Sequence, residues 1–462
     1  MFVRFVTFVS FVVFGLTLVG QQAKTFIPHT EALPILLALR EDLVPADLRN
    51  KTAPDLALLW PRWIAARDTA VRSRVAEGDA DSIAYLLLFG TTFTSRPRIT
   101  ERELAALALQ PAEGMASLQP RIADFVAALD APGANERLQF ARQVLARAGI
   151  DPAAEAGKVQ ARRYLEVRAA SVAANAIPRS STLLDPAAAA ADTQTLFKDR
   201  GLSSDTSIFV DYGIDQTLDA MLADGRLRPG GVRRVAIVGP GLDFTDKLDG
   251  YDFYAQQTIQ PFAVVDSLLR RGLASPDLEV TAFDLSPRVV EHLEAARTRA
   301  RGGNPYALVL PRNLDRPWTP GLVQYWQRLG AYVGEETKAP PPPANAGRLE
   351  VRSVSVRPSV VLTVVPRDLD IVFERIESGS PDERFDIVIA TNILLYYGVF
   401  EQSLAAANIA TMLRPGGFLL SNNQVFELPP IPLAGVGYTD ATYMSLTGIG
   451  DTGDRIVWYQ RQ

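Results

Sequence analysis

The chain contains no cysteine, which excludes disulfides, thiolate metal sites and a cysteine nucleophile. Histidine occurs only at His29 and His292, far apart in sequence. A histidine-rich zinc site is therefore excluded, and any Ser-His-Asp triad would have to use one of these two. No carboxylate grouping points to a metal. Basic charge is not in excess either: the formal net charge of -5 gives no reason to expect nucleic acid as a partner. The arginine-rich stretch Arg288, Arg297, Arg299 and Arg301 is interleaved with Glu291 and Glu294 and reads as a solvated helix face. What remains is an ordinary folded composition, 47% hydrophobic and 21% charged, in 462 residues, enough for two or more separate cores.

The first residues stand apart. Met1 to Arg4 form a short basic start, Phe5 to Val19 are almost wholly apolar, and Gln21, Gln22 and Lys24 follow. Residues 1–24 read as a secretory signal peptide or a membrane anchor, with membrane association through residues 1–20. The apolar run, about fifteen residues, is short against the roughly 20 that a spanning helix needs. Residues 30–180 have helical texture, and the segment reads as an all-α N-terminal domain whose role is not legible. Asp81 to Phe89 is an apolar run stopped by Gly90, Thr100 and Glu103 form a capping box, and Leu138 to Ala148 is closed by Gly149. Residues 181–207, with their alanine run, read as a linker.

From Val232 the texture changes to alternating strands and helices, the mark of an α/β sheet. Val235 to Val238 has the profile of a buried parallel strand and runs into Gly239-Pro240-Gly241-Leu242-Asp243. Glycines there let the backbone turn sharply and let a ligand approach the main chain. A second strand, Leu278 to Phe283, ends in Asp284, and a helix opens at Pro287. An acid at that tip can accept hydrogen bonds from the ribose hydroxyls of an adenosine, or it can cap the helix. Phe385-Asp386-Ile387-Val388 begins a further buried strand that opens at Thr391 and Asn392. A helix from about Gln402 to Leu413 leads to Arg414-Pro415-Gly416-Gly417 and a strand from Phe418. Arg455 to Tyr459 alternates like an antiparallel strand.

These motifs, in this order, resemble a class I S-adenosylmethionine-dependent methyltransferase over roughly residues 208–462. The resemblance implies a Rossmann-like domain with a mostly parallel seven-stranded sheet, and S-adenosyl-L-methionine as cofactor. It implies that Gly239, Pro240, Gly241 and Asp243 lie against the cofactor, that Asp284 holds its ribose, and that Leu285 lies beside the adenine. Asp368 or Asp370 would stand near the adenine amine, and Asn392 and Ile393 would sit at the strand-four tip. The chain departs from the pattern in several places. It lacks an acid just before the glycine loop, Phe244 stands where a third glycine often occurs, and Asp284 follows Gly241 by about 43 residues, roughly double the compact spacing. Insertions are expected near 245–257 and 305–347. The first contains Tyr251-Asp252-Phe253-Tyr254, which either folds over the strand tips as a lid or packs insertion against core. On the lid reading, Asp252, Tyr396 and Tyr397 are the candidate catalytic residues for an unidentified protein or small-molecule acceptor. Two alternatives stay open: transfer of an aminopropyl group, or an exported or membrane-anchored non-enzymatic protein on a degenerate scaffold. The N-terminal segment points to the membrane or export, and the cofactor to a domain facing the cytoplasm.

Overall fold

The computed structural model describes residues 23–176, 201–202, 206, 208–242, 250–377, 380–446 and 450–462. The expected signal or anchor segment, most of the expected linker, Asp243 and the first part of the 245–257 insertion lie outside them. No helix among the described residues is long and apolar enough to cross a membrane.

The N-terminal part comprises strand β1 (Lys24–Phe26) and helices α1 (His29–Ala38), α2 (Ala53–Phe89), α3 (Glu101–Leu109), α4 (Pro111–Asp130), α5 (Glu136–Arg147) and α6 (Glu155–Ala176). The α/β part begins with α7 (Ile208–Ala223), β2 (Val232–Val238), α8 (Gln260–Arg270), β3 (Ala274–Asp284) and α9 (Pro287–Arg301). An insertion of β4 (Tyr306–Asn313), α10 (Pro320–Arg328), β5 (Gly334–Thr337) and β6 (Leu349–Val356) follows, then α11 (Pro358–Thr363), β7 (Val364–Asp368), β8 (Glu374–Ile376) and β9 (Phe385–Ile389). The chain closes with α12 (Val399–Met412), β10 (Leu413–Ser421), β11 (Leu433–Leu446) and β12 (Gly450–Arg461).

The central sheet has seven strands in the order β11-β12-β10-β9-β2-β3-β7. Only β12 runs against the others, pairing antiparallel with both β10 and β11. Val235, Ala236 and Ile237 are fully buried, as a strand covered on both faces requires. Asp386, the acid that opens β9, accepts hydrogen bonds from the backbone N–H groups of Arg233 (2.7 Å) and Arg234 (2.8 Å) and pairs with Arg414. It thus fixes the start of β2 against β9. Sequence order runs outward from β2 through β3 to β7, then resumes on the other side at β9. The β2/β9 boundary is therefore the switch point, where α/β sheets open a crevice at the carboxyl ends of their strands.

The two faces of this sheet are covered differently. Helices α7, α8 and α9 cover one, around Leu218, Phe262 and Leu293. On the other, among the described residues, α12 is the one α-helix that the crossovers supply. Among the described residues, neither the β7–β9 nor the β10–β11 connection contains an α-helix. The N-terminal segment fills that gap. β1 pairs antiparallel with β8, and Ile35, Trp60, Trp63 and Ile64 share a core with Phe373, Phe400 and Leu404. The Trp60 indole N–H donates to the Ile27 carbonyl at 2.9 Å. At roughly 2 kcal/mol per large apolar side chain, this burial is worth on the order of 10 kcal/mol, comparable with the whole stability of a domain.

The described residues of the expected all-α domain over 30–180 are helical, but they do not form one domain: the segment divides within the 37-residue α2. Its first part belongs to the core of the α/β sheet. The second half of α2 joins α3 to α6 in a separate core of Leu87, Ile122, Phe125, Leu145 and Leu165. The capping box at Thr100 and Glu103 is present, and Gly90 ends α2.

The second insertion runs to Val356, beyond the expected 347, because β4, β6 and β5 form their own antiparallel three-stranded sheet. Within it, four consecutive prolines, Pro340 to Pro343, lead to a segment tied to the N-terminal helices. Asn345, just after the prolines, donates to the carbonyls of Thr91 (3.1 Å) and Thr94 (2.8 Å), and Ala346 is fully buried.

Candidate functional site

A cleft open to solvent lies over the carboxyl ends of β2, β3, β7 and β9. Gly239 and Gly241 form its floor, and both have positive φ, 67° and 73°. A Cβ at position 239 would collide with Cδ1 of Ile393, so only glycine lets the β2 loop pass under the β9 tip. Gly239 N–H donates to the Phe283 carbonyl at 2.8 Å, and Thr258 Oγ1 donates to the Pro240 carbonyl at 3.3 Å.

Asp284 stands beside this loop, half-buried at the lip of the cleft. Burial raises its carboxyl to about 6, against the backbone N–H groups of Ser286, Gly241 and Leu285 and the Arg288 charge, which favour ionisation. Its Oδ1 accepts from Ser286 N–H at 2.8 Å. The two readings of this acid therefore coexist: one oxygen serves the turn into α9, while the residue lines the cleft. Leu285 lines it too, with Leu369, Ile371 and Ile393, an apolar slot suited to a flat ring.

Asp368 is placed elsewhere. It is held by Arg72 (2.6 Å) and Lys24 (2.7 Å) on the outer side of β7. Burial would raise its pKa, but the hydrogen bonds and charges of these two partners outweigh it and hold the carboxyl below the usual range. Asp370 is different. It is fully buried between the lining residues Leu369 and Ile371, and its Oδ2 has no hydrogen-bond partner among the described residues. Burial raises it to about 8, while the Val372 N–H favours its ionised form.

At the β9 tip, Asn392 has a positive φ of 59°, unusual outside glycine. Its backbone N–H donates to Asn422 Oδ1 at 2.8 Å, and Asn422 Nδ2 returns a bond to its side chain at 2.7 Å. That exchange holds the tip open and turns Ile393 into the cleft.

Tyr396 and Tyr397 also line the cleft. Tyr397 is buried, which raises its phenol well above the ordinary value. The Arg74 guanidinium lies over both rings and donates to the Tyr396 carbonyl at 3.1 Å.

Asp252 is not in this cleft, and the lid expectation for its segment is corrected. Its carboxylate accepts from Thr91 N–H and Oγ1 (2.6 Å each) and from Thr92 N–H (3.0 Å) and Oγ1 (2.5 Å). Tyr251 and Tyr254 are buried with Val309 and Ala346. The segment fastens the N-terminal helices to the insertion.

The roof of the cleft is not legible in the sequence. Val75 of α2 and Leu202 both line the cleft, and Leu202 N–H donates to the Arg74 carbonyl at 2.9 Å. A Cβ on Gly78 would collide with the Leu202 carbonyl, and one on Gly201 with the backbone of Gly78. That pair of glycines, separated by more than a hundred residues, was the available signal, but nothing in the sequence alone links them.

No family model matches the chain, and no curated protein matches it. Among solved structures, it is similar to a TehB-like SAM-dependent methyltransferase from Corynebacterium glutamicum, at 11% identity over 54% of this chain and 88% of that one, TM-score 0.25. It is similar to the magnesium protoporphyrin IX methyltransferase ChlM from Synechocystis, at 14% identity over 62% and 99%, TM-score 0.25. It is also similar to TrmN from Thermus thermophilus, at 11% identity and TM-score 0.25, over 55% of this chain and 52% of that one. The sheet itself, with seven strands, one of them antiparallel, and its switch point beside a glycine loop, is a Rossmann-like α/β fold.

Proposed function

We propose that the cleft binds S-adenosyl-L-methionine and that the chain is a methyltransferase acting on an acceptor beyond the β9 tip. One observation carries this reading: two glycines at positive φ and an acid at the tip of the adjacent strand border the same apolar slot at the switch point. The residues fit the cofactor. Gly239, Pro240 and Gly241 would lie along its amino-acid part, Asp284 would accept from its ribose hydroxyls, and Leu285 and Ile393 would flank its adenine. Asp370, whose free oxygen is buried between two lining residues, suits a hydrogen-bond donor such as the adenine amine better than the paired Asp368 does. Asn392 would hold the tip at the boundary between cofactor and acceptor.

When bound, the cofactor supplies an activated methyl group. The protein's part is alignment and exclusion of water, since methyl transfer gains chiefly from fixing the two partners in line. Tyr396 and Tyr397 are in place to shield the slot. Asp252 takes no part, because its oxygens are committed to Thr91 and Thr92.

Calorimetric titration of the full-length protein with S-adenosylhomocysteine, beside Asp284→Ala, tests the reading. Micromolar binding lost in the variant is the expected result. A folded wild-type protein that does not bind overturns it. The full chain is required, because α1 and α2 complete the core of the sheet and α2 roofs the cleft.

A further inference from the structure

The rim of the cleft takes part of its structure from outside the sheet, and from one face of one helix. Arg74, Val75, Gly78 and Asp79 fall on α2 at the spacing that stacks residues four apart on the same side. Each meets a group at the rim. Arg74 lies over Tyr396 and Tyr397, Val75 lines the cleft, Gly78 packs against Leu202, and Asp79 stands 3.9 Å from the Arg288 guanidinium at the start of α9. The helix is pinned on both sides of this stretch. Trp60, Trp63 and Ile64 are set in the core of the sheet, and Thr91 and Thr92, just past the end at Phe89, hold the Asp252 carboxylate. A helix fixed in two places delivers the turns between them to a set position.

The segment that Arg74 meets needs such support. It follows Asn392, held at positive φ, and passes through the single turn Leu394–Tyr396 before α12 opens at Val399. So short a turn leaves carbonyls without an internal partner. Gln402, buried on α12, donates from its Nε2 to the carbonyls of Leu394 and Tyr397 at 2.9 Å each. The Tyr396 carbonyl, between them, accepts from Arg74 Nη1 at 3.1 Å. The same guanidinium stands 6.0 Å from the Tyr396 ring and 5.9 Å from the Tyr397 ring. The Arg74 carbonyl, in turn, accepts from Leu202 N–H at 2.9 Å. One residue of α2 thus joins three that line the cleft.

A cation on ring faces and a charge-assisted hydrogen bond to the adjoining carbonyl act in the same sense, holding both rings in one orientation. Without them the turn keeps its anchor on α12, but the half-buried Tyr396 loses a contact that directs its ring toward the slot.

We propose that Arg74 is a positioning residue of the cleft, setting the Tyr396–Tyr397 wall against the bound cofactor, an assignment that rests on the methyltransferase reading. The α/β part then holds a complete site only with the N-terminal helix in place.

The test is a double-mutant cycle in the full-length protein, read by calorimetric titration with S-adenosylhomocysteine: wild type, Arg74→Ala, Tyr396→Ala and the double variant, with Arg74→Lys beside them. Arg74→Ala is expected to weaken binding about tenfold, the scale of a charge-assisted bond to a carbonyl together with a cation on a ring. Arg74→Lys, which keeps the cation and not the planar fork, is expected to lose less. The losses of the two single alanine variants are expected to fall short of multiplying by at least about threefold, because Arg74 acts in part through the ring that Tyr396→Ala removes. Losses that multiply mean that Arg74 does not act through the wall and overturn the proposal, as does an Arg74→Ala protein of wild-type affinity. Should Arg74→Ala not fold, Arg74→Lys takes its place in the cycle under the same two criteria. A folded wild type that binds no S-adenosylhomocysteine overturns the methyltransferase reading and this assignment with it, whereas binding with multiplying losses overturns the assignment alone.

Discussion

Two buried aspartates, in regions joined by the loop ahead of α8, meet opposite surroundings. Asp252 is met by the backbone and side-chain donors of Thr91 and Thr92 and is satisfied. Asp211 is as deeply buried, but its oxygens have no hydrogen-bond partner in ordinary geometry among the described residues, and only the nearby Gln260 side chain favours its ionised form. A satisfied buried carboxylate is a fastener, because its ionised form is part of the fold's own hydrogen-bond inventory. An unsatisfied one is held in place by the packing around it at a cost to stability, and residues of that kind are expected where function overrides stability. Residue type and neighbours in sequence do not separate the two cases: Asp252 sits in an aromatic run that reads as a lid, whereas Asp211 reads as part of an ordinary helix.

The largest expected effect tests the fastener. Asp252→Ala leaves the N–H groups of Thr91 and Thr92 without an acceptor and should cost about 4 kcal/mol in urea unfolding, with Asp252→Asn costing about half as much. The affinity of the folded protein for S-adenosylhomocysteine should stay within about twofold, less than 0.5 kcal/mol. An Asp252→Asn protein of wild-type stability and lost affinity would return this acid to the site and break the comparison.

Asp370 sharpens it from the other side. Its folded carboxyl titrates at about 8, far above the unfolded value, so between those limits the folded state binds the proton and the unfolded state does not. Stability contributed by this group is therefore full below about pH 4 and is lost as pH rises towards 8, by about 1.4 kcal/mol per unit. Asp370→Asn removes that slope and keeps an acceptor for the Val372 N–H. It should raise stability at pH 7 by about 3 kcal/mol in urea melts while weakening S-adenosylhomocysteine. A destabilised variant would show that Asp370 is a fastener like Asp252.

Much of the α/β half was legible because its signals are local. Val235 to Val238, the glycine pair, Asp284 and the β9 strand each announce themselves within a few residues, and their order implies the sheet. The Phe-Asp-Ile-Val acid was legible as a motif, but not as the group that fixes β2 to β9 through Arg233 and Arg234. What the sequence did not reveal is nonlocal. That Trp60 and Trp63 belong beneath the β9–α12 face depends on crossovers that lack their usual helices, and that Val75 roofs the cleft depends on Gly78 meeting Gly201. Asp368 and Asp370 could not be told apart, because two acids in one loop look alike until Arg72 and Lys24 are seen to claim the first.

Gly239→Ala is expected to have a smaller effect. The added methyl meets both a positive φ and Ile393, for a cost of about 1–3 kcal/mol and a displaced β9 tip. Adding Ile393→Ala should recover affinity for S-adenosylhomocysteine in part, by removing the collision and not the backbone strain. Full recovery would mean that φ at this position carries no cost; no recovery would mean that Ile393 contributes more as a wall of the slot than as an obstacle.

The smallest expected effect separates binding from folding at Asp284. Only the ionised carboxylate accepts from ribose through both oxygens, so with a carboxyl at about 6 the affinity for S-adenosylhomocysteine should fall as pH drops. From pH 8 to pH 5 the ionised fraction declines about tenfold, which sets the expected loss of affinity. The contribution of the same group to stability runs the other way. A raised carboxyl pKa favours the folded state at low pH and loses that advantage as pH rises through 6. Over this interval, therefore, Asp284 makes the protein bind less well while its own term makes the fold more stable, a divergence that acid unfolding cannot imitate. Calorimetric titrations at several pH values, beside Asp284→Asn, read it directly: the variant should bind weakly with a flat profile. A wild-type profile as flat as the variant's would mean that Asp284 serves the turn into α9 alone, and would place it with Asp252 among the fasteners.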